Sequence, residues 1–243
     1  MILDYGIAHL EKTWQVEEIK APGYSRVYYL NKGFLYYEGE GHQVTLKPDH
    51  LYILPSTRGY KISLGAFEEK ICTYLHMDLS PIIVENLIEF DLAKNSLISS
   101  YINTIYLSIA EEQKDLLYQL AEGLPIILEN FADLKKLSKE MTAVVDHITT
   151  NLSEKLDIKQ LADIAGYNTN YFIKLFKDTF GISPYQYVLR KRLQQALPLL
   201  LEKQPVAAAA EAAGFTDSSS FSRAFKNYYS IKPSQFCDKY FIP

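Results

Sequence analysis

The sequence predicts an α+β protein: an N-terminal antiparallel β-barrel, helices that follow it, and an all-α C-terminal part built from two similar two-helix units. Three observations lead to this prediction. Short runs rich in β-branched and aromatic residues fill positions 14–79. Apolar residues then recur at helical spacing from about Pro81. The last third of the chain repeats itself at an offset of 49 residues, as between Phe176 and Phe225.

Size and composition indicate a soluble globular protein. The chain has 243 residues, of which 48% are hydrophobic and 22% charged. Asp4, His9 and Glu11 interrupt the region where a signal peptide needs an apolar core, and no apolar run approaches the ~20 residues that cross a bilayer. Cys72 and Cys237 form no CxxC pair and are expected to be reduced thiols. We therefore expect a cytoplasmic protein with no membrane partner.

The net charge of −4 conceals a difference between the two parts of the chain. Residues 152–243 contain 12 Lys and Arg against 8 Asp and Glu, whereas residues 1–151 contain 13 against 21. A basic C-terminal part suits a polyanionic partner and the acidic N-terminal part does not. The surplus is modest, so its meaning depends on where the basic residues lie.

Residues 14–79 are predicted to form short strands. Glycines and prolines such as Gly33 and Pro48 separate apolar runs at the spacing of an antiparallel barrel or sandwich. The named strands are Val27–Leu30, Phe34–Tyr37, Val44–Leu46, Leu51–Leu54 and Cys72–Leu75.

The segment 81–135 is predicted to be helical. Its apolar residues recur at spacings of three and four. The three predicted stripes are Ile83, Leu87 and Phe90; Ile98, Ile102, Ile105 and Ile109; and Leu116, Leu120, Leu124 and Leu128. These helices can pack on the barrel. The polar, Lys-rich run 132–139 is predicted to be a linker.

The first copy of the repeat is predicted to consist of two helices joined by a turn. Asp157 or Ile158 begins the first helix, and Gly166 ends it because glycine readily adopts the left-handed conformation. Asn168 is predicted to cap the second helix. That helix has an inward set, Phe172, Leu175, Phe176 and Thr179, and an outward set, Asn170, Ile173, Lys174 and Lys177.

The second copy repeats this arrangement. Gly214 takes the position of Gly166, and Thr216 or Asp217 is predicted to cap the helix that follows. The inward residues are Phe221, Ala224, Phe225 and Tyr228, and the outward residues are Ser219, Ser222, Arg223 and Lys226. Lys174 and Arg223 occupy the same position in the two copies.

A further helix is predicted between the copies. It begins at Ser183 with Pro184 at its first helical position. Pro198 removes a backbone donor, so we predict an early end or a kink there rather than a straight helix through Leu201. Such a helix can hold the two units about one turn of DNA, roughly 34 Å, apart.

The outward faces are typical of recognition helices in a major groove. Amide, hydroxyl and guanidinium groups near a helix N-terminus read base edges, and an apolar group such as Ile173 meets a thymine methyl. Lysine and arginine one turn later contact phosphates. Any amphipathic helix has a polar face, but here two copies carry a turn glycine and a basic residue at matching positions.

Residues 141–237 resemble the DNA-binding domain of AraC/XylS-type bacterial transcription regulators. The matching stretches are Asp157–Gly166, Tyr171–Lys177, Tyr187–Ala196 with Arg192, and Gly214–Lys226 followed by Pro233. The resemblance implies two helix-turn-helix motifs, within a DNA-binding domain at 141–243, that read adjacent major grooves. By position, the implied DNA-contacting residues are Asn170, Ile173, Lys174, Lys177, Ser219, Ser220, Arg223 and Lys226.

Residues 24–79 resemble the cupin-like sensor domain of the same family, placed at 1–80. The matching features are Arg26–Leu30, Gly33, Leu46–Pro48, Leu51–Pro55 and Tyr74–Asp78. A small barrel can hold a ligand among its inward side chains, or aromatic residues can simply fill it. The candidate ligand-binding residues are Arg26, Tyr28, Tyr36, Tyr52, Tyr60 and His76.

The resemblance also implies partners. Double-stranded DNA, a small-molecule effector and RNA polymerase are the expected partners, and the helices of 81–135 are expected to form a homodimer. No cofactor, metal or enzymatic activity is expected, because the five histidines include no His-x-His pair and no catalytic motif is present. Two alternatives stay open: a cupin-type enzyme with an accessory DNA-binding domain, and a regulator whose N-terminal domain only dimerises.

Overall fold

The computed structural model describes residues 2–11, 13–19, 21–65, 69–131, 134–229 and 231–236. It divides into two compact units, Met1–Leu137 and Ser138–Pro243. Cys72 is a buried free thiol, whereas Cys237 lies outside the described residues. Two residues of the predicted linker, Ala132 and Asp133, also lie outside them.

Strands β1 to β9 all belong to the first unit. Their bounds are β1 (Ile2–His9), β2 (Gln15–Glu18), β3 (Ser25–Lys32), β4 (Leu35–Gly39), β5 (His42–Leu46), β6 (His50–Ile53), β7 (Tyr60–Leu64), β8 (Ile71–Met77) and β9 (Ile88–Asp91). They form a five-stranded sheet in the order β1-β8-β3-β6-β9 and a four-stranded sheet in the order β2-β7-β4-β5. All of their pairings are antiparallel.

The predicted closed barrel is wrong in one respect, because the strands form two separate sheets. The five-stranded sheet buries side chains on both faces. Tyr28 and Tyr52 pack in one cluster with Ile62 of the four-stranded sheet, while Val27 and Leu51 pack on the other side. A sheet covered on both faces lies as the middle layer of a stack, which favours separate layers over closure.

Two helices cover the outer face of the five-stranded sheet. They are α1 (Ser96–Ala110) and α2 (Lys114–Glu129), and a 3-10 turn at Leu92–Lys94 precedes them. The stripe of Ile98, Ile102 and Ile105 is buried as predicted. These residues join Leu75 and Met77 of the sheet in one core cluster.

Two details of the predicted helical segment are wrong. Phe90 lies in β9, where it pairs with Leu51 across the sheet edge, so the first apolar stripe is not a helix. Backbone hydrogen bonds to β6 determine this, and spacing alone cannot separate a short helix from a strand. On α2, Leu124 and Leu128 of the predicted stripe are fully buried, but Leu116 is exposed and the neighbouring Leu117 is buried in its place.

The second unit is helical within the residues described. Its helices are α3 (Lys139–Thr150), α4 (Ile158–Ile164), α5 (Thr169–Phe180), α6 (Pro184–Leu201), α7 (Val206–Ala212) and α8 (Ser218–Tyr229), followed by a 3-10 turn at Pro233–Gln235. In the described parts of the whole chain, no helix has the length and hydropathy that a bilayer crossing demands.

Helix α6 continues through Pro198 to Leu201, so the predicted early end is wrong, whereas the alternative of a kink at Pro198 stays a prediction. Leu197 and Leu200 flank the proline and are both buried. The carbonyl of Pro198 also accepts a hydrogen bond from the amide of Glu202 at 2.9 Å. Burial of this last turn therefore outweighs the one hydrogen bond that proline removes.

Candidate nucleic-acid interface and ligand site

The first two-helix unit has the caps that its sequence predicts. The Asp157 carboxylate accepts from the Lys159 amide at 2.8 Å and starts α4. Gly166 has φ +71° in the turn. The Asn168 side chain then accepts from the Tyr171 amide at 2.9 Å and starts α5. These side chains accept hydrogen bonds from backbone amides that have no partner within the helix. They therefore determine where α4 and α5 begin.

Helix α5 separates a buried face from an exposed one. Phe172 and Phe176 are fully buried, and the Phe176 ring packs on Tyr187 of α6 with centroids 5.2 Å apart. The four predicted DNA-contacting residues of this helix are all exposed: Asn170, Ile173, Lys174 and Lys177. Ile173, an aliphatic residue, is 38% exposed on this face.

The second two-helix unit, α7 and α8, repeats this geometry with a different cap. Gly214 has φ +73°. Asp217, and not Thr216, caps α8, because its carboxylate accepts from the Ser220 amide at 2.7 Å. This backbone hydrogen bond lowers the pKa of Asp217. The Ser220 hydroxyl also donates to Asp217 at 2.8 Å, so one of the predicted DNA contacts takes part in the cap.

Helix α8 buries Phe221 and Phe225 and exposes the other predicted contacts. The exposed residues are Ser219, Ser220, Arg223 and Lys226. The second helix of each two-helix unit, α5 or α8, therefore exposes hydroxyl or amide groups in its first turn and cations one turn later. This order matches base reading near the helix start and phosphate contact beyond it.

Helix α6 contacts both two-helix units. Ser183 caps it through a capping box with Gln186, and Pro184 is its first residue. Tyr187 packs on α5, and the Arg190 guanidinium lies 5.6 Å from the centre of the Tyr228 ring on α8. Helix α6 thus packs against the second helix of each two-helix unit.

The first unit contains a polar cluster between its strands, centred on Arg26. This side chain is only 8% exposed. Its Nη1 donates to the Tyr60 hydroxyl at 2.5 Å, and its Nη2 donates to Glu18 at 2.6 Å and to the Tyr24 hydroxyl at 2.9 Å. Its Nε is buried and has no hydrogen-bond partner within the described residues.

His76 lies opposite Arg26 in the register of β3 and β8. Its ring packs among Tyr24, Tyr28 and Tyr74, with centroids 5.5, 6.3 and 5.0 Å away. The buried Nε2 atom of His76 has no hydrogen-bond partner in the described parts of the chain. Burial, and then the positive charge of Arg26, hold the pKa of His76 well below its usual value, so the ring is neutral.

Asp4 completes this cluster from β1. One of its carboxylate oxygens lies 3.6 Å from Nδ1 of His76, and the other accepts from the Tyr5 amide. Burial raises the pKa of Asp4 to about 6. The cluster therefore places a neutral imidazole beside a carboxyl group that titrates near neutral pH.

The structure brings together four of the six sequence-predicted ligand residues. Arg26, Tyr28, Tyr60 and His76 lie in the cluster. Tyr36 does not, because it is 48% exposed on the opposite face of β4. Tyr52 is buried, but its hydroxyl interacts with Glu89 and with the amide of Lys47 instead.

Sequence reasoning missed Asp4, Glu18, Tyr24 and Tyr74. Glu18 and Tyr24 contact Arg26, and Asp4 and Tyr74 contact His76. Tyr74 could have been predicted, because it lies two residues before His76 on β8 and residues two apart in a strand share a face. In the described segments no group of three or more His, Cys, Asp or Glu is arranged to hold a metal ion.

Two capped helix-turn-helix units, joined by one helix and each exposing cations on its second helix, define the class of sequence-specific DNA-binding proteins. A family model described as "Helix-turn-helix domain" matches residues 161–239. The regulator YobQ of Bacillus subtilis (strain 168), described as an uncharacterized HTH-type transcriptional regulator, is 31% identical over 214 residues, which cover 86% of this chain and 84% of YobQ. The chain belongs to the AraC-type family of transcription regulators.

Two further comparisons agree. The probable transcriptional regulator LumQ of Photobacterium leiognathi is 38% identical over 106 residues, which cover 43% of each chain. The crystal structure of unsaturated fatty acid-bound wild-type ToxT from Vibrio cholerae strain SCE256 has a TM-score of 0.64 at 14% identity, with 96% of this chain and 94% of ToxT covered. The protein is thus a DNA-binding transcription regulator whose fold is shared with ToxT.

Proposed function

We propose that the first unit binds a small-molecule effector, and that this binding controls which DNA sites the helix-turn-helix units occupy. The observation that carries the proposal is the Arg26–His76 pair, in which two buried nitrogens lack a partner within the described residues. ToxT, a protein of the same fold, has been crystallised with an unsaturated fatty acid bound, which supports a small-molecule effector for a chain of this fold.

The site we propose consists of Arg26, Tyr28, Tyr60 and His76, with Tyr24 beside them. The ligand would offer an acceptor to Nε of Arg26 and a hydrogen-bond partner to Nε2 of His76. Leaving such buried groups unpaired costs about 1–3 kcal/mol each, so a ligand that pairs them gains free energy beyond its own contacts. The tyrosine rings supply flat apolar walls with polar tips.

A thermal-shift screen of metabolites against the full chain tests this proposal. A true effector raises the melting temperature of the wild type, because binding to the folded state alone stabilises it. His76→Gln should lose that shift. Tyr36→Phe, a change on the exposed opposite face, should keep it. Equal shifts in all three proteins would mean that the compound binds away from His76, which contradicts the proposed site. A wild type that responds to no compound would favour a first unit that only dimerises.

We also propose that the exposed residues of α5 and α8 contact DNA. The set is Asn170, Ile173, Lys174, Lys177, Ser219, Ser220, Arg223 and Lys226. All eight side chains are exposed. Asn170 and Lys174 can reach base edges, and Ile173 can meet a thymine methyl group. Selection of genomic DNA fragments by the full chain tests this proposal. Lys174→Ala should weaken binding to the selected sequence.

The helices α1 and α2 are proposed to join two copies of the chain. They expose five large apolar side chains: Leu97, Leu107, Leu116, Tyr118 and Ile126. Ile126 is 65% exposed, and a second copy that covers it would remove this apolar surface from water. Sedimentation at micromolar concentration should show a dimer that Ile126→Glu dissociates. A wild type that stays near 28 kDa with and without effector would contradict this assembly.

A further inference from the structure

The loop between α3 and α4 leads directly into the first two-helix unit. Its residues 151–154, the clamp loop, form a turn in which the amide of Glu154 donates to the carbonyl of Asn151 at 3.0 Å. The Leu152 side chain of this loop is buried. Only two residues separate the clamp loop from Asp157, which caps α4. A displacement of the clamp loop therefore moves the start of α4.

Arg192 of α6 holds the clamp loop by two hydrogen bonds. Its Nε donates to the carbonyl of Leu152 at 2.8 Å, and its Nη2 donates to the carbonyl of Glu154 at 2.6 Å. The Arg192 side chain is half-buried. A planar guanidinium that donates two charge-assisted hydrogen bonds determines direction as well as distance. The clamp loop is thus joined to α6 at two points.

The turn of the second two-helix unit approaches the same loop. A Cβ at Gly214 would lie 2.3 Å from the carbonyl oxygen of Leu152 and 2.8 Å from the Cα of Ser153. Only glycine permits so close an approach of two backbones. Gly166, the matching turn glycine of the first two-helix unit, has no atom within 4 Å of such a Cβ. The second turn therefore contacts the loop that leads into the first two-helix unit, and the first turn has no comparable contact.

In each two-helix unit, backbone hydrogen bonds across the turn join the second helix to the first. The amide-to-carbonyl pairs are Gly166 to Asp163 and Tyr167 to Ala162 in the first two-helix unit, and Gly214 to Glu211 and Phe215 to Ala210 in the second. These bonds make α5 follow α4 and make α8 follow α7. Because the clamp loop leads into α4 and contacts the turn before α8, it connects the two DNA-reading helices.

The clamp loop adds a directional connection to the ring contacts of α6. Tyr187 packs on Phe176 of α5, and Arg190 lies over the Tyr228 ring of α8. Apolar contact is largely non-directional, so ring packing alone allows small shifts of one helix along another. Hydrogen bonds from Arg192 to two successive points of one loop oppose such shifts.

We propose that Arg192 is a positioning residue for DNA recognition. By holding the clamp loop against α6 and against the turn at Gly214, it sets the separation of α5 and α8. That separation determines which spacing between two blocks of DNA sequence the chain accepts. The inference rests on the proposed DNA contacts of α5 and α8. Without Arg192 the two helices still bind DNA, but they accept more than one spacing.

Spin-label distances test the clamp without DNA. Asp178→Cys on α5 and Asn227→Cys on α8 place labels at exposed positions that correspond in the repeat, with Cys72 and Cys237 replaced by alanine in the full chain. Electron paramagnetic resonance should give a narrow distribution of distances between the two labels. Arg192→Ala should broaden it, because the loop loses both hydrogen bonds. Lys139→Ala, which removes an exposed charge at the start of α3, is the control and should leave it unchanged.

Arg192→Lys keeps the charge and most of the side chain, so it separates positioning from phosphate contact and from loss of folding. An ammonium lacks the planar fork that reaches both carbonyls, so this variant should also broaden the distribution, although less than Arg192→Ala. Its slope of log K against log salt should stay that of the wild type, because the charge is retained.

The spacing of the selected DNA motif tests the role in recognition. One base pair inserted between its two blocks moves one block by about 3.4 Å and turns it by about 34°. We expect this insertion to weaken wild-type binding by at least about tenfold. In Arg192→Ala and Arg192→Lys the insertion should weaken binding by only about threefold. Lys139→Ala should keep the wild-type ratio.

Three results would contradict the inference. Equal weakening of both spacings by the Arg192 variants would mean that Arg192 only stabilises the fold or contacts a phosphate. An unchanged distance distribution in Arg192→Ala would mean that the clamp does not hold the helices. A broadened distribution with a wild-type spacing ratio would mean that the clamp does not affect recognition.

Failure of the proposed function has a different signature. A wild type that selects no motif of two blocks would refute joint reading by α5 and α8, and with it the role of Arg192 in recognition. A broadened distance distribution in the Arg192 variants would still support the clamp in that case.

Discussion

Arg26 and His76 lie opposite each other on β3 and β8, and each holds one buried nitrogen that has no hydrogen-bond partner within the described residues. Proteins rarely leave such groups unpaired, since each costs about 1–3 kcal/mol. The two side chains come from neighbouring strands, so a single ligand can reach both. This relationship is the basis for proposing an effector site in the first unit.

The ion pair of Arg26 with Glu18 should contribute to the stability of the first unit. Arg26→Met leaves Glu18 and two tyrosine hydroxyls without their donor, and we expect it to lower the free energy of unfolding by about 3 kcal/mol. Urea titration measures this value. Arg58→Met is the matched control, because Arg58 pairs with Glu40 at 2.8 Å but is half-exposed. It should cost at most about 1 kcal/mol, and equal losses in the two variants would contradict the account.

The raised pKa of Asp4 predicts a pH-dependent stability. An aspartate whose pKa is about 6 when folded and 3.8 when unfolded binds its proton more tightly in the folded state. The contribution of Asp4 to the free energy of unfolding is complete below pH 3.8 and is lost as the pH rises through about 6. Asp4→Asn lacks this titration, so its stability relative to the wild type should rise by about 2 kcal/mol between pH 4 and pH 7.

Urea titrations across this pH range check the Asp4 prediction. Asp146→Asn makes the same chemical change at an exposed position on α3 and corrects for the loss of one carboxyl group. A constant difference between Asp4→Asn and the wild type from pH 4 to pH 7 would show that Asp4 is solvated and not buried in the cluster.

The two turn glycines of the repeat should differ in their tolerance of alanine. Gly166 and Gly214 have almost the same φ, +71° and +73°. A Cβ at Gly166 meets no atom within 4 Å, whereas one at Gly214 lies 2.3 Å from the carbonyl oxygen of Leu152. Gly166→Ala should therefore cost only the backbone term of about 1 kcal/mol, and Gly214→Ala clearly more.

Thermal or urea unfolding of the two glycine variants checks this difference. Each variant is the control for the other, because the residue type and the backbone conformation are matched. A larger loss for Gly166→Ala would mean that the close approach of Leu152 to the second turn does not exist.

The repeat in the second unit could be predicted from sequence because its determinants are local. Gly166, Asn168 and Pro184 act within a few residues of themselves, and the structure has them at the predicted places. The early helix end predicted at Pro198 is wrong because burial of Leu197 and Leu200 depends on packing across the unit. The helix-breaking tendency of proline is a local property and contains no information about that packing.

The first unit was less predictable because its pairings join distant parts of the chain. Strand β1 mixes polar and apolar residues and is defined by its pairing with β8, about 70 positions later. The Arg26–Glu18 contact and the Arg26–His76 register depend on the same non-local pairing.

The central claim is that the two helix-turn-helix units read DNA sequence together, and selection from genomic fragments tests it most directly. The purified full chain should enrich a motif of two short blocks about one helical turn apart. Lys174→Ala should weaken binding to that motif by about 1–3 kcal/mol and leave random DNA almost unaffected. Weak, salt-dependent binding to all fragments, with and without the effector that the screen identifies, would contradict the account.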